Sequence, residues 1–149
     1  VSFFTIGHST TLLLGVLADI NINAYLIDAI IALSIVYKGF DNLGGFKRFF
    51  GKQPNTKAAV LIFGLFHGFG LASKLQEFKF DKDGLFTNLI GFNIGVEIGQ
   101  FIALAVVLIL ITIWRRQPSF MKFSTITNTA LMAAGFLLLG FQLTGYFTS

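Results

Sequence analysis

From Phe86 to Trp114 the chain reads "FTNLIGFNIGVEIGQFIALAVVLILITIW", a run in which Glu97 is the one charged residue. About 20 apolar residues suffice to cross the roughly 30 Å hydrocarbon core of a bilayer. There an unpaired backbone amide has no water to bond, so such a run is stable only as a helix, whose backbone bonds are all internal. Four further runs have the same character, giving expected spans at Val1–Ala18, Ala24–Asn42, Ala58–Leu75, Phe86–Trp114 and Ser124–Phe147. The fourth is longer than an upright crossing needs, which implies tilt or an interfacial turn near its start. Only 12% of the chain is charged, about half the usual share in soluble domains. The expected fold class is all-α, a polytopic transmembrane helix bundle forming one domain over residues 1–149. Val1 is preceded by no initiator Met, no basic leader and no cleavage pattern, so the expectation is that one or more upstream helices are missing.

The connections alternate in charge. Lys47, Arg48, Lys52 and Lys57 lie between the second and third spans, and Arg115, Arg116 and Lys122 between the fourth and fifth. The segment after the first span carries Asp19 and no cation, and the stretch from Lys74 to Asp83 mixes both signs. The positive-inside rule therefore puts the two basic loops in the cytoplasm, the visible N-terminus inside and the C-terminus outside. The net charge of +4 is accounted for by these loops, so the bilayer, and not nucleic acid, is the expected partner. Trp114 beside Arg115 and Arg116 reads as an interfacial anchor. With no Cys in the chain, disulfides and thiolate metal sites are excluded and any metal must be held by His, carboxylate, amide or hydroxyl groups.

Depth, at about 1.5 Å per residue, places three ionisable groups near the bilayer centre: His8, His67 and Glu97. A charge there is costly unless paired or neutralised. Asn93, Glu97 and Gln100 are spaced i, i+4 and i+7 and form one polar stripe. Gly91, Gly95 and Gly99 form a small-residue ridge on another face, expected to pack on a neighbouring helix. On the first span Thr5, His8 and Thr11 share a face with Ser9 beside it; the hydroxyls either serve a site or bond back to their own helix. Gly64, Gly68 and Gly70 leave room beside His67 for a ligand or for another helix. A Phe stands four residues before each His, a hint of a parallel repeat. Asp28, near the outer end of its span, reads either as a cation vestibule or as a solvated helix start, and Asp41 and Asn42 admit the same two readings. Asn128, Gly135 and Gln142 share a face that interhelical amide bonding explains. Met121 and Met132 are too scattered for a soft-metal path.

Two imidazoles and a carboxylate form a familiar ligand set for a divalent first-row ion, with Zn, Ni, Co and Fe all compatible. Asn93 and Gln100 would be weak oxygen ligands or would orient Glu97. The alternative is that the two histidines are neutral and simply hydrogen-bonded within the bundle. No phosphate loop, nucleophile triad or dinucleotide fingerprint is present.

Four stretches carry a resemblance: "FTIGHSTTL" at Phe4–Leu12, "IDAIIALSIVY" at Ile27–Tyr37, "FGLFHGFGLA" at Phe63–Ala72 and "GFNIGVEIGQ" at Gly91–Gln100. In this order they resemble the HupE/UreJ family of membrane proteins over about two thirds of the chain. The resemblance implies a bundle of six or seven helices in a bacterial cytoplasmic membrane. It also implies a nickel or cobalt permease, or permease-like accessory protein, of hydrogenase and urease maturation. The family's His and Glu positions carry over to His8, His67 and Glu97, with Thr5, Ser9, Asp28, Asn93 and Gln100 as supporting or pathway residues. Two departures stand out: an earlier helix with a Gly and Asp-His signature is absent, and Asp28 stands where Glu is common. A second copy of the chain or an upstream part of the same protein are further expected partners. Two other functions use the same residues: an intramembrane zinc hydrolase, with Glu97 as ligand or base, and a subunit whose polar groups only hold the bundle together.

The orientation has a direct check. Gly51→Cys is expected to resist a membrane-impermeant thiol reagent in intact cells and to react once the membrane is opened; labelling from outside would reverse the topology.

Overall fold

The computed structural model of the chain describes residues 2–20, 22–77 and 84–149. Val1, Asn21 and the charged stretch with Lys79, Asp81, Lys82 and Asp83 lie outside them. The fold is all-helical, with helices α1 (Ser2–Leu17), α2 (Ala24–Asn42), α3 (Gly45–Phe50), α4 (Thr56–Glu77), α5 (Leu85–Trp114) and α6 (Phe120–Thr148), and no strand among the described residues. Five of these coincide with the expected spans to within a few residues. By length and composition α4, α5 and α6 can cross a membrane. The apolar helix α1 is shorter, and α2 has the length but carries Asp28, Lys38 and Asp41.

The helix ends follow local chemistry. The side chain of Asn23 accepts from Tyr25 N and Leu26 N, capping α2, and Asn55 does the same for Lys57 N and Ala58 N, so α4 starts two residues before the expected Ala58. At the end of α1, Asp19 takes a left-handed backbone (φ 50°) and Ile20 N bonds Gly15 O at 3.0 Å, a closing turn in which Asp substitutes for the usual glycine. The short α3 was not expected from the sequence. Gly44 and Gly51, at φ 74° and 68°, bracket it, and this left-handed geometry is cheap only for glycine. Phe46 then seats α3 against Tyr37 and Phe40, with ring centroids 4.8 Å apart in both pairs, while Phe49 and Phe50 face outward beside Lys47 and Arg48.

The chain divides into two compact units. The first comprises α1 to α4 with α6 from Asn128 onward. Its centre is the pairing of α1 with α4, which run parallel: Phe4 meets Gly64, Thr11 meets Gly68 and Gly15 meets Ala72. A Cβ at Gly7 would stand 2.7 Å from Leu61 O and 2.9 Å from Leu65 N, so the two backbones touch. The hydroxyl of Thr11 lies 2.7 Å from Leu65 O and 2.9 Å from Gly7 O, and Gln76 Nε2 donates to Gly15 O at 2.7 Å. Helix α2 lies antiparallel on α4, where Gly70 receives Ile27 and Ile31. The end segment of α6 lies antiparallel on α2, with Gly135 against Val36 and Ala32 and Gly145 against the ring of Tyr25. Of the glycines near His67, Gly64 and Gly68 therefore admit α1, and Gly70 admits α2.

The second unit comprises α5 and the opening turns of α6. Trp114 packs on Phe120 and Phe123, at centroid distances of 5.7 and 5.9 Å. The Gly91, Gly95 and Gly99 ridge belongs to this unit. All three glycines are exposed, and among the described residues no atom lies within 4 Å of a Cβ built on any of them. Close backbone approach in this chain uses the scattered glycines of α1 and α4 instead.

Overpacking a tight helix contact costs about 1–3 kcal/mol. Gly64→Val is expected to lower the thermal stability of the detergent-solubilised protein by that order, whereas Gly95→Val leaves it within error of the parent, as followed by thermal unfolding.

Candidate functional site

The contact of α1 with α4 sets the register of the two histidines. His8 is buried and His67 half-buried. The ring of Phe4, one turn before His8, touches both: it stacks on His8 (centroids 6.0 Å, interplanar angle 13°) and meets His67 edge-on (5.1 Å, 65°). His67 Nδ1 lies 3.1 Å from Phe63 O. A carbonyl can only accept, so Nδ1 is the donor here, which leaves Nε2 as the nitrogen whose lone pair a metal would use.

Two cavities of the first unit meet this ring. One, of about 330 Å³, lies along the N-terminal half of α4, with Thr56, Val60, Phe63, Tyr37, Asn42 and Asn128 on its walls. The other, of about 500 Å³, lies along the C-terminal half and is lined by His8, Asp28, Gly70, Lys74, Leu138 and Gln142, among others. His67 lines both and, among the described residues, is the single one they share. It is the twelfth residue of the 22 in α4, so the cavities lie toward opposite ends of one helix with the imidazole between them.

Each cavity has a polar mouth. In the larger one, Lys74 Nζ stands 3.5 Å from Asp28 Oδ1. In the smaller one, Asn42 Nδ2 donates to Asn128 Oδ1 at 2.9 Å, the interhelical amide bond expected of Asn128. Asp41 accepts from Lys38 Nζ at 2.7 Å and from the amide of Gln53, which makes it a paired helix-end carboxylate. Gln142, expected to bond a neighbouring helix, lines the larger cavity. Thr5 and Ser9 are half-buried on α1 and line neither cavity.

Glu97, Asn93 and Gln100 belong to the second unit. They mark the less exposed line of α5: Asn93 is 8% exposed and Glu97 and Gln100 are half-buried, while Ile94, Ile98 and Ile102 face outward. Both side-chain amide atoms of Asn93 are buried without a hydrogen-bond partner among the described residues, a costly arrangement that a ligand or water would relieve. Among the described residues no group of three His, Asp or Glu is arranged to hold a metal ion.

Lys74 was not singled out from the sequence, and Phe4 only as part of a hinted repeat. Both carry a helical signal, since Phe4 precedes His8 by four residues and Lys74 follows His67 by seven, which puts each on the face of its histidine.

The sequence model for the family described as HupE / UreJ protein matches residues 1–149, the whole chain. No curated protein and no solved structure matches it.

The tautomer of His67 is open to direct measurement. Nitrogen-15 spectra of the ring are expected to show a protonated Nδ1 and an unprotonated Nε2 at neutral pH, and added Co²⁺ is expected to perturb Nε2. A protonated Nε2 would remove the metal-ready lone pair.

Proposed function

The chain belongs to the HupE/UreJ family, and from that premise we propose that it is a membrane permease for a divalent first-row metal, nickel or cobalt foremost. The family is associated with nickel and cobalt uptake for hydrogenase and urease. One observation carries the reading to particular residues: among the described residues, two cavities at opposite ends of α4 share only His67. A permease has to receive its ion from one side and release it to the other, and one imidazole accessible from both is the simplest element able to do so. Each cavity has room for several waters at about 30 Å³ apiece, so an ion can exchange its water ligands stepwise and is never bare.

In this reading Asp28 draws the cation into the larger cavity and His8 adds a second imidazole there. His67 Nε2 hands the ion across, with the apolar ring of Phe4 closing the space around both imidazoles. Glu97 enters on its sequence depth and its motif, as the carboxylate that offsets the ion's charge, with Asn93 and Gln100 beside it on the stripe of α5. The whole of 1–149 acts as one transmembrane domain in a bacterial cytoplasmic membrane, N-terminus inside. The hydrolase alternative calls for one closed cavity, and two cavities at opposite ends of a helix favour passage.

The test is uptake and binding with the full-length protein. Loss of the shared ligand in His67→Ala is expected to lower Ni²⁺ or Co²⁺ uptake into proteoliposomes by at least about 10-fold and to abolish stoichiometric binding. Gly95→Ala, on the open face of α5, is expected to keep both. Full metal content without His67 would overturn the proposal.

A further inference from the structure

We propose that Lys74 is a tethered counter-cation: its ammonium occupies the Asp28 carboxylate while the larger cavity is empty and yields it to an incoming divalent ion. The inference rests on the permease reading of that cavity and adds a device for admission and release.

Among the described residues, Asp28 and Lys74 are the one acid and the one permanent cation lining the cavity that His8 and His67 share. Their separation of 3.5 Å exceeds the roughly 2.7–2.9 Å of a tight charge-assisted hydrogen bond. The contact is also lopsided: the Asp28 side chain is 23% exposed and that of Lys74 57%. The carboxylate is thus built into the wall, while the lysine reaches it on a flexible stem lying mostly in the open. An ammonium that swings away re-enters a hydrated setting at little cost, and exposed ion pairs of this kind are worth little.

A divalent ion competes well for such a carboxylate. At equal distance its attraction is twice that of the ammonium, and a first-row ion approaches carboxylate oxygen to roughly 2.0–2.2 Å. A monovalent cation has no such advantage in charge over the lysine already there. Lys74 therefore screens Asp28 against the abundant alkali cations. After exchange the ammonium is held nearby on the same helix and repels the bound ion. Its return to Asp28 then lowers the barrier to onward movement toward His67, two helical turns away or roughly 10 Å along α4. Conduction needs this balance, with binding strong enough to admit the ion and weak enough to release it.

The experiment uses the full-length protein in lipid nanodiscs, with Co²⁺ as the probe in equilibrium titrations and stopped-flow release, with and without excess Na⁺. Lys74→Gln keeps a polar stem and removes the charge. It is expected to tighten Co²⁺ binding by about 10-fold, to slow its release, and to make binding sensitive to Na⁺. Lys74→Arg is expected to resemble the parent, and Asp28→Asn to weaken binding. In the double variant Lys74→Gln is expected to have no effect, because its target is gone. If the parent binds Co²⁺ through His67 but Lys74→Gln leaves affinity, release and Na⁺ sensitivity unchanged, or weakens binding, the counter-cation role is wrong and the permease reading stands. If the parent binds no Co²⁺ at all, both fall together.

Discussion

The backbone contact between α1 and α4 is the constraint from which the first unit follows. Gly7, Gly64 and Gly68 remove the side chains that would hold two helices at the usual 8–10 Å, and the Thr11 hydroxyl ties the helices where the carbonyl of Leu65 is within reach. Water-driven burial does not operate between helices in lipid, so close van der Waals approach and hydrogen bonds of this type must carry the association. The contact also sets the chemistry. Parallel helices in this register put Phe4 against both His8 and His67, and a shift of one turn would separate the rings.

The same pairing explains why His67 is shared between two cavities. Helix α4 is covered by α1 on one side and by α2 on another, and glycines on it receive both. What stays open is the space at either end of α4, between it, α2 and the final segment of α6. His67 lies at mid-helix and its Nδ1 is occupied by its own backbone, so the remaining nitrogen is the reactive one. The two polar mouth pairs, Asp28 with Lys74 and Asn42 with Asn128, and the helix-end pair of Asp41 with Lys38 lie away from the helix centre, where charges and amides are less costly.

Much of the candidate site was legible from residue type and depth. His8 and His67 were marked because an imidazole in an apolar helix is expensive, and both line one cavity. Asp28 was marked as a vestibule candidate and lines that cavity with them. Lys74 was passed over because a lysine at a helix end normally signals an interface, and only its distance to a carboxylate on another helix gives it a role. Phe4 shows in the sequence only as part of a hinted repeat, because one Phe among 19 carries no sign of contact with an imidazole. The glycine ridge of α5 shows the limit of spacing, which reports what a face could receive and not what lies against it.

By itself the sequence determined the helices, their lengths and most of their ends. In an apolar setting backbone amides must be satisfied within the segment, and caps such as Asn23 and Asn55 act within one turn. It also determined the family, through motifs that are local runs of residues. Tertiary structure alone decided the parallel register of α1 on α4, the seating of α3, the partner of Lys74 and the sharing of His67 by two cavities. Each of these depends on which helix faces come together, and in a chain this rich in Gly and Phe many pairings satisfy the same local pattern. The choice among them is made by close contacts between residues far apart in sequence, which no periodicity records.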